Sequence, residues 1–271
     1  MTRRYFFALG VVLGACHDRS STSAAPVPRP VDDMVRIPAG PFTSGCDAAQ
    51  GCDARMTTLG PPQVRTLAAF EIDRLEVSVG DYRACWRAGP CATANDVIWA
   101  RPENSGVVGH WPPALNNLDI PDDQPIVAVS ALEAQYYCAW VGKRLPTALE
   151  WEKAARGTDG RPYPWGWAPP TRERTSTALA YHQFPLPRGF HPLGASPYGA
   201  LDMIGNATEW VAADVGAPDH VLVAGGEAAQ VAELNMLPAI NEARSAVHRG
   251  VGSYTGVRCA RAVAGAAPTT P

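Results

Sequence analysis

The chain has 271 residues, with 23 Lys and Arg against 26 Asp and Glu and a formal net charge of −3. A balance so near neutrality leaves no electrostatic footprint for a nucleic-acid partner. With 26 Pro, 25 Gly and 8 Trp, the composition predicts short elements set in much irregular structure, and no internal repeat is visible.

The N-terminus reads as an export signal over residues 1–15. Arg3-Arg4 is a basic start, and the apolar run from Tyr5 to Ala15 is too short for a bilayer span, which needs about 20 residues. Leu13-Gly-Ala-Cys16 closes the run and resembles a bacterial lipobox, so Cys16 is the expected lipidation site and first mature residue. An ordinary signal peptide with a chance cysteine is the alternative, and Thr2-Arg-Arg-Tyr-Phe-Phe7 also looks like a twin-arginine signal. Residues 16–31 read as a flexible Ser-, Ala- and Pro-rich tether, 32–262 as one folded domain, and 263–271 as a disordered tail. The expectation is an exported bacterial lipoprotein, lipid-anchored on the periplasmic or cell-surface side of a membrane. His17 after Cys16 favours the outer membrane.

Within the domain, Cys46 and Cys52 flank Asp-Ala-Ala-Gln-Gly, and Cys85 and Cys91 flank Trp-Arg-Ala-Gly-Pro. Both loops contain residues that let the chain turn back. With Cys16 lipidated, six of the seven cysteines remain, an even number for an oxidising compartment. Local pairs 46–52 and 85–91 are the economical assignment among many permitted connectivities. Zinc-ligand spacing is absent from these pairs, and the six histidines are scattered.

Two adjacent helices are predicted next. Ser130 with Glu133 forms a capping box, and Ala134, Tyr137, Cys138 and Val141 then fall on one face at helical spacing. Gly142 suits the left-handed position after the last turn. Thr147 with Glu150 repeats the capping box, and Ala148 to Arg156 form the second helix, stopped by Gly157. Trp86, Trp99, Trp111, Trp165, Trp167 and Trp210 either line a ligand groove or pack in core and loops.

The exact letters of Trp140-Val-Gly-Lys-Arg-Leu-Pro-Thr-Ala-Leu-Glu-Trp-Glu-Lys-Ala-Ala-Arg-Gly157 resemble the formylglycine-generating enzyme (sulfatase-modifying factor) family. Further matching pieces follow the family order. Met34 to Phe42 looks like the opening strand, Phe70 to Val77 like the next, and Gln124 to Ser130 leads into the helical pair. Tyr163-Pro-Trp-Gly166, then Tyr198-Gly-Ala-Leu-Asp-Met-Ile-Gly-Asn-Ala-Thr-Glu-Trp210, then Gly256-Val-Arg-Cys259 complete the set. The resemblance implies an α+β, irregular C-type-lectin-like fold with short strands, two adjacent helices and long loops. It also implies a structural disulfide between Cys138 and Cys259.

Members that make formylglycine oxidise a substrate cysteine with copper held by two thiolates, the soft ligands that monovalent copper prefers. No cysteine lies between Cys138 and Cys259. Met236 and Asn241 stand near the lost positions, and the preceding family pattern survives only as Ala224-Gly-Gly-Glu-Ala228. Copper is therefore not expected. Calcium is: carried over residue by residue, the second hallmark supplies the side chains of Asp202 and Glu209 and the carbonyls of Gly205 and Ala207, a hard oxygen set. The family's other calcium site looks lost, because Glu173 is the only acidic residue from Thr171 to His191. A related branch joins this domain to an iron-binding helical bundle, for which the chain has no room.

The functional expectation is a non-catalytic, membrane-tethered binding or accessory lipoprotein with no catalytic residues assigned, its ligand a protein, peptide or glycan. An enzyme of different chemistry in the same cleft, through Glu227, Asn241, Arg244 or His248, is the alternative. Formylglycine synthesis ranks last.

Overall fold

The computed structural model describes residues 32–45, 60–91, 120–176, 185–213, 220–226, 240–245 and 255–263. Strands β1 (Met34–Ile37), β4 (Phe70–Asp73) and β9 (Ala260–Ala262) form an antiparallel sheet in the order β1-β4-β9. Val35, Ile37, Phe70 and Ile72 turn inward with the two-residue period of a half-buried sheet. A second pair joins β2 (Gly40–Ser44) to β3 (Gln63–Leu67). The largest sheet runs β7 (Ile240–Ser245), β6 (His220–Ala224), β5 (Thr208–Ala212), β8 (Thr255–Gly256), with only the β5–β8 contact parallel.

The fold is α+β with short strands, as expected, but three boundaries differ from the sequence reading. The opening segment is two strands, because Pro38 has no N–H for a ladder and Gly40 sits at φ 129°. The strand expected from Phe70 to Val77 ends at Asp73, although the Val77 N–H still donates to the Val257 carbonyl at 2.7 Å. A third helix, α1 (Val79–Ala88), precedes the expected pair. The Ser78 side chain caps it by accepting from the Asp81 N–H, and Gly89 ends it at φ 94°.

Helices α2 (Ala131–Trp140) and α3 (Ala148–Arg156) carry both predicted capping boxes, and Gly142 is left-handed. Ala134, Tyr137 and Cys138 of α2 are buried, and Tyr137 stacks on Tyr82 of α1 at 5.8 Å between centroids. Helix α3 buries Trp151, Ala154 and Ala155, and also Glu152, Lys153 and Arg156. Those charges serve the corner between β1 and β2. Lys153 Nζ donates to the Pro38 and Gly40 carbonyls, while Glu152 accepts from Ser44 Oγ and pairs with Arg156.

Disulfides join Cys85 to Cys91 at the end of α1, and Cys138 to Cys259, tying α2 to the residue before β9. Cys16, Cys46 and Cys52 lie outside the described residues, as do the signal and tether segments. Among the described residues no helix is long and apolar enough to cross a membrane.

Candidate functional site

The hallmark loop from Tyr198 to Trp210 is wound by four residues of positive φ: Gly199 at 87°, Asp202 at 57°, Gly205 at 82° and Asn206 at 60°. Asp and Asn tolerate that region better than other side chains, so the letters fit the backbone. Gly205 admits no substitute. A Cβ there would strike the Ser176 carbonyl and the Thr175 hydroxyl.

The loop leads into a buried charge cluster. Glu209 is 1% exposed and Arg258 0%. Arg258 Nε and Nη2 donate to the Glu209 carboxylate at 2.7–3.0 Å, and its remaining donors reach the carbonyls of Asp73, Arg74 and Leu201. Trp151 Nε1 donates to Glu209 Oε2 at 2.6 Å. Beside this pair, Glu76 accepts from Asn206 Nδ2 at 3.0 Å and the Ala207 N–H at 3.2 Å. The Gly189 N–H donates to Asp202 Oδ2 at 2.5 Å. Three buried carboxylates thus face one fully buried arginine, with Arg188 at the edge of the group. Burial first, then the charges of Asp202 and Glu209, hold the Glu76 carboxyl well above the usual range. Burial, with Glu209 nearby, also raises Asp202.

A dication bound here would relieve carboxylates that burial otherwise drives toward protonation. Of the four expected calcium ligands, Glu209 fits least well, since Arg258 and Trp151 already occupy its oxygens. Among the described residues no three His, Cys, Asp or Glu side chains converge as metal donors, so an ion here depends on the Gly205 and Ala207 carbonyls. Glu76 was missed by sequence reasoning. Its signal was a carboxylate inside the Phe70–Val77 match, followed directly by buried Val77.

Next to the cluster opens a cavity of about 460 Å³, bordered by Asp73, Glu76, Asp81, Tyr137, Lys143 and Arg188 among others. Lys143 Nζ bridges Asp73 at 2.6 Å and Asp32 at 2.9 Å. Arg188 Nη1 donates to the Glu76 carbonyl at 2.5 Å and lies 3.4 Å from Asp81 Oδ2. Burial first, then the charges of Asp81 and Asp73, push the Tyr137 hydroxyl upward, so it stays protonated.

The sequence-derived cleft is only partly described. Glu227 and His248 lie outside the described residues, as does Met236. Asn241 and Arg244 fall on β7, in register with Val223 and Val221 of β6. Trp210 and Trp151 are core, Trp210 donating to the Val129 carbonyl at 2.8 Å. Trp167 is exposed, and Trp99 and Trp111 are outside the described residues.

Comparison with known proteins gives a consistent match. Residues 20–263 match the model of the sulfatase-modifying factor enzyme 1-like domain. Over 195 residues the chain is 34% identical to a hercynine oxygenase of Mycolicibacterium smegmatis, covering 65% of this chain but only 44% of that protein. It is 34% identical over 216 residues to the inactive C-alpha-formylglycine-generating enzyme 2 of Mus musculus, covering 66% and 68% of the two chains. Among solved structures, PvdO from Pseudomonas aeruginosa superposes with a TM-score of 0.67 at 25% identity, covering 85% of this chain and 94% of that one.

Proposed function

This chain belongs to the sulfatase-modifying factor enzyme 1-like family, and from that premise we propose that it is a non-catalytic, membrane-tethered binding or accessory lipoprotein. The observation that carries the reading is the empty cysteine window. No cysteine lies between Cys138 and Cys259, and those two are spent on each other. A thioether and an amide at Met236 and Asn241 do not replace two thiolates toward monovalent copper. Likeness to a mouse protein named inactive supports the same view. Lipidation at Cys16 supplies the tether, and the ligand is a protein, peptide or glycan.

Copper titration decides between this reading and formylglycine synthesis. The purified protein is expected to bind monovalent copper weakly and to leave a Cys-x-Pro-x-Arg peptide unoxidised. Tight copper binding together with an aldehyde product would overturn the proposal. The hercynine oxygenase likeness favours a second reading, an enzyme of different chemistry in the same cleft.

We also infer one calcium ion in the hallmark loop, held by Asp202, the Gly205 and Ala207 carbonyls and Glu209, with Glu76 beside them. Bound there, calcium supplies loop rigidity and charge balance. Its test follows from the raised carboxyls. Without calcium, the folded protein holds protons on Glu76 and Asp202 that the unfolded chain has released. Stability therefore falls as pH rises from their ordinary values of 4.5 and 3.8 upward, and levels off once both have ionised. Calcium binds the ionised form and flattens that fall. Melting curves from pH 4 to 8, with calcium or with a chelator, are expected to diverge as pH rises. Asp202→Asn is the variant of choice, because Glu209→Ala would also strand Arg258. If Asp202→Asn leaves the calcium-dependent rise in Tm intact, the assignment is wrong.

A further inference from the structure

We propose that the cavity between α1, α2 and Arg188 binds a small zwitterion of the α-amino-acid class, its ammonium on Asp81, its carboxylate on Arg188, and the Tyr137 hydroxyl bonded between them. The inference goes beyond the binding reading above, and it uses neither the hallmark-loop calcium nor the cysteine window.

Three groups in the cavity have unused bonding capacity. Tyr137 is 3% exposed, and its ring is fixed between Tyr82 at 5.8 Å and Trp140 at 6.0 Å. Its side chain lines the cavity, and its hydroxyl makes no hydrogen bond among the described residues. Arg188 is the second group. Its Nε is buried without an acceptor, and its one short bond is from Nη1 to a backbone carbonyl. Asp81 is the third, its contact with Arg188 being 3.4 Å, at the outer limit of a hydrogen bond.

The cavity's other cations are already matched. Lys143 is held by Asp73 and Asp32, and Arg261 by Asp32 and Glu71 at 2.6 and 2.7 Å. What remains is the long Arg188–Asp81 pair at 3.4 Å and one neutral hydroxyl. A ligand of a single sign would part that pair and leave one of its charges stranded in a half-enclosed site, whereas a zwitterion inserted between them meets both. The apolar wall of Leu75, Val77 and Val141 offers a surface to a short side chain. A volume of about 460 Å³ suits a small molecule rather than a macromolecular segment.

The test is isothermal titration calorimetry on the purified full chain. The probes are the standard L-amino acids, with n-butylamine and butyrate as single-charge controls. At least one amino acid is expected to bind, about tenfold or more tighter than either control. Tyr137→Phe removes only an unbonded hydroxyl and keeps the ring packing, so its Tm should hold while affinity falls about tenfold. Asp81→Asn, at a half-exposed position, should weaken the amino acid but not butyrate. Failure of every amino acid to bind overturns the inference. So does equal binding of a single-charge control, or unchanged affinity in both variants. The two proposals fail separately: aldehyde formation from the peptide sinks the non-catalytic reading, whereas silent calorimetry with no peptide oxidation sinks only the amino-acid site.

Discussion

Arg258→Ala is expected to destabilise the protein by about 3–5 kcal/mol, the range for breaking a buried ion pair from one side. Removing the guanidinium leaves the Glu209 carboxylate uncompensated beside Glu76 and Asp202, which already sit above the usual carboxylate range. It also strips donors from the carbonyls of Asp73, Arg74 and Leu201. Replacing both partners with apolar residues can be nearly neutral for a simple buried pair. It should not be so here, because those three carbonyls and the Trp151 N–H would still lose their partners. Arg258→Met/Glu209→Leu is therefore expected to recover only part of the loss. Urea unfolding of the single and double variants measures both quantities. A loss below about 1 kcal/mol for Arg258→Ala would show that the network is held by something else.

What could be read in the sequence, and what could not, follows the range of the interaction. The capping boxes at Ser130 and Thr147 were legible because each closes within three residues. The signals for α1 are equally local, Ser78 before Asp81 and Gly89 behind, but they start directly after the Phe70–Val77 match. Pro38 and Gly40 announced the break between β1 and β2, yet the family resemblance made one strand of the segment. The hallmark loop was legible as a loop, and its Asp and Asn at positive φ explain why. The partner of Glu209 was not, since Arg258 lies 49 residues away and Glu76 is 131 residues from Ala207. Helical spacing puts Tyr137 on an apolar face, and its buried ring obeys that. Helical spacing says nothing about where its hydroxyl ends.

The cluster and the cavity are mechanically one region. Glu76 binds the hallmark loop through its side chain, and its backbone carbonyl receives Arg188 at the cavity wall. Gly189, the next residue, donates to Asp202. A change in charge at Asp202 is thus one hydrogen bond and one peptide link from Arg188, whose guanidinium borders the cavity. On the proposed calcium and amino-acid sites, the two ligands would each act on this shared segment, and their binding energies would be coupled in both directions.

Joint replacement of Cys138 and Cys259 by Ala is expected to cost about 5 kcal/mol in the chain-entropy model, against about 2.5 kcal/mol for Cys85 and Cys91. The difference comes from loop length, a separation of 121 residues against 6. Cys138 and Cys259 are also both fully buried, so each Ala adds a small packing loss. Position sharpens the effect. Cys259 follows Arg258, its N–H donates to Asp73 Oδ2 at 2.9 Å, and Asp73 in turn holds Lys143. Freeing this corner therefore loosens the arginine network as well as the unfolded-state constraint, and combining Arg258→Ala with loss of the disulfide should cost less than the sum of the two single losses. Urea unfolding with and without reductant measures the first effect. With reductant in both samples, so that Cys85–Cys91 is open in each, the parent should match the double-Ala variant to within about 1 kcal/mol, after allowing for the small packing difference. A reduced parent as stable as the oxidised one would mean that packing around β9, and not the covalent link, holds α2 in place.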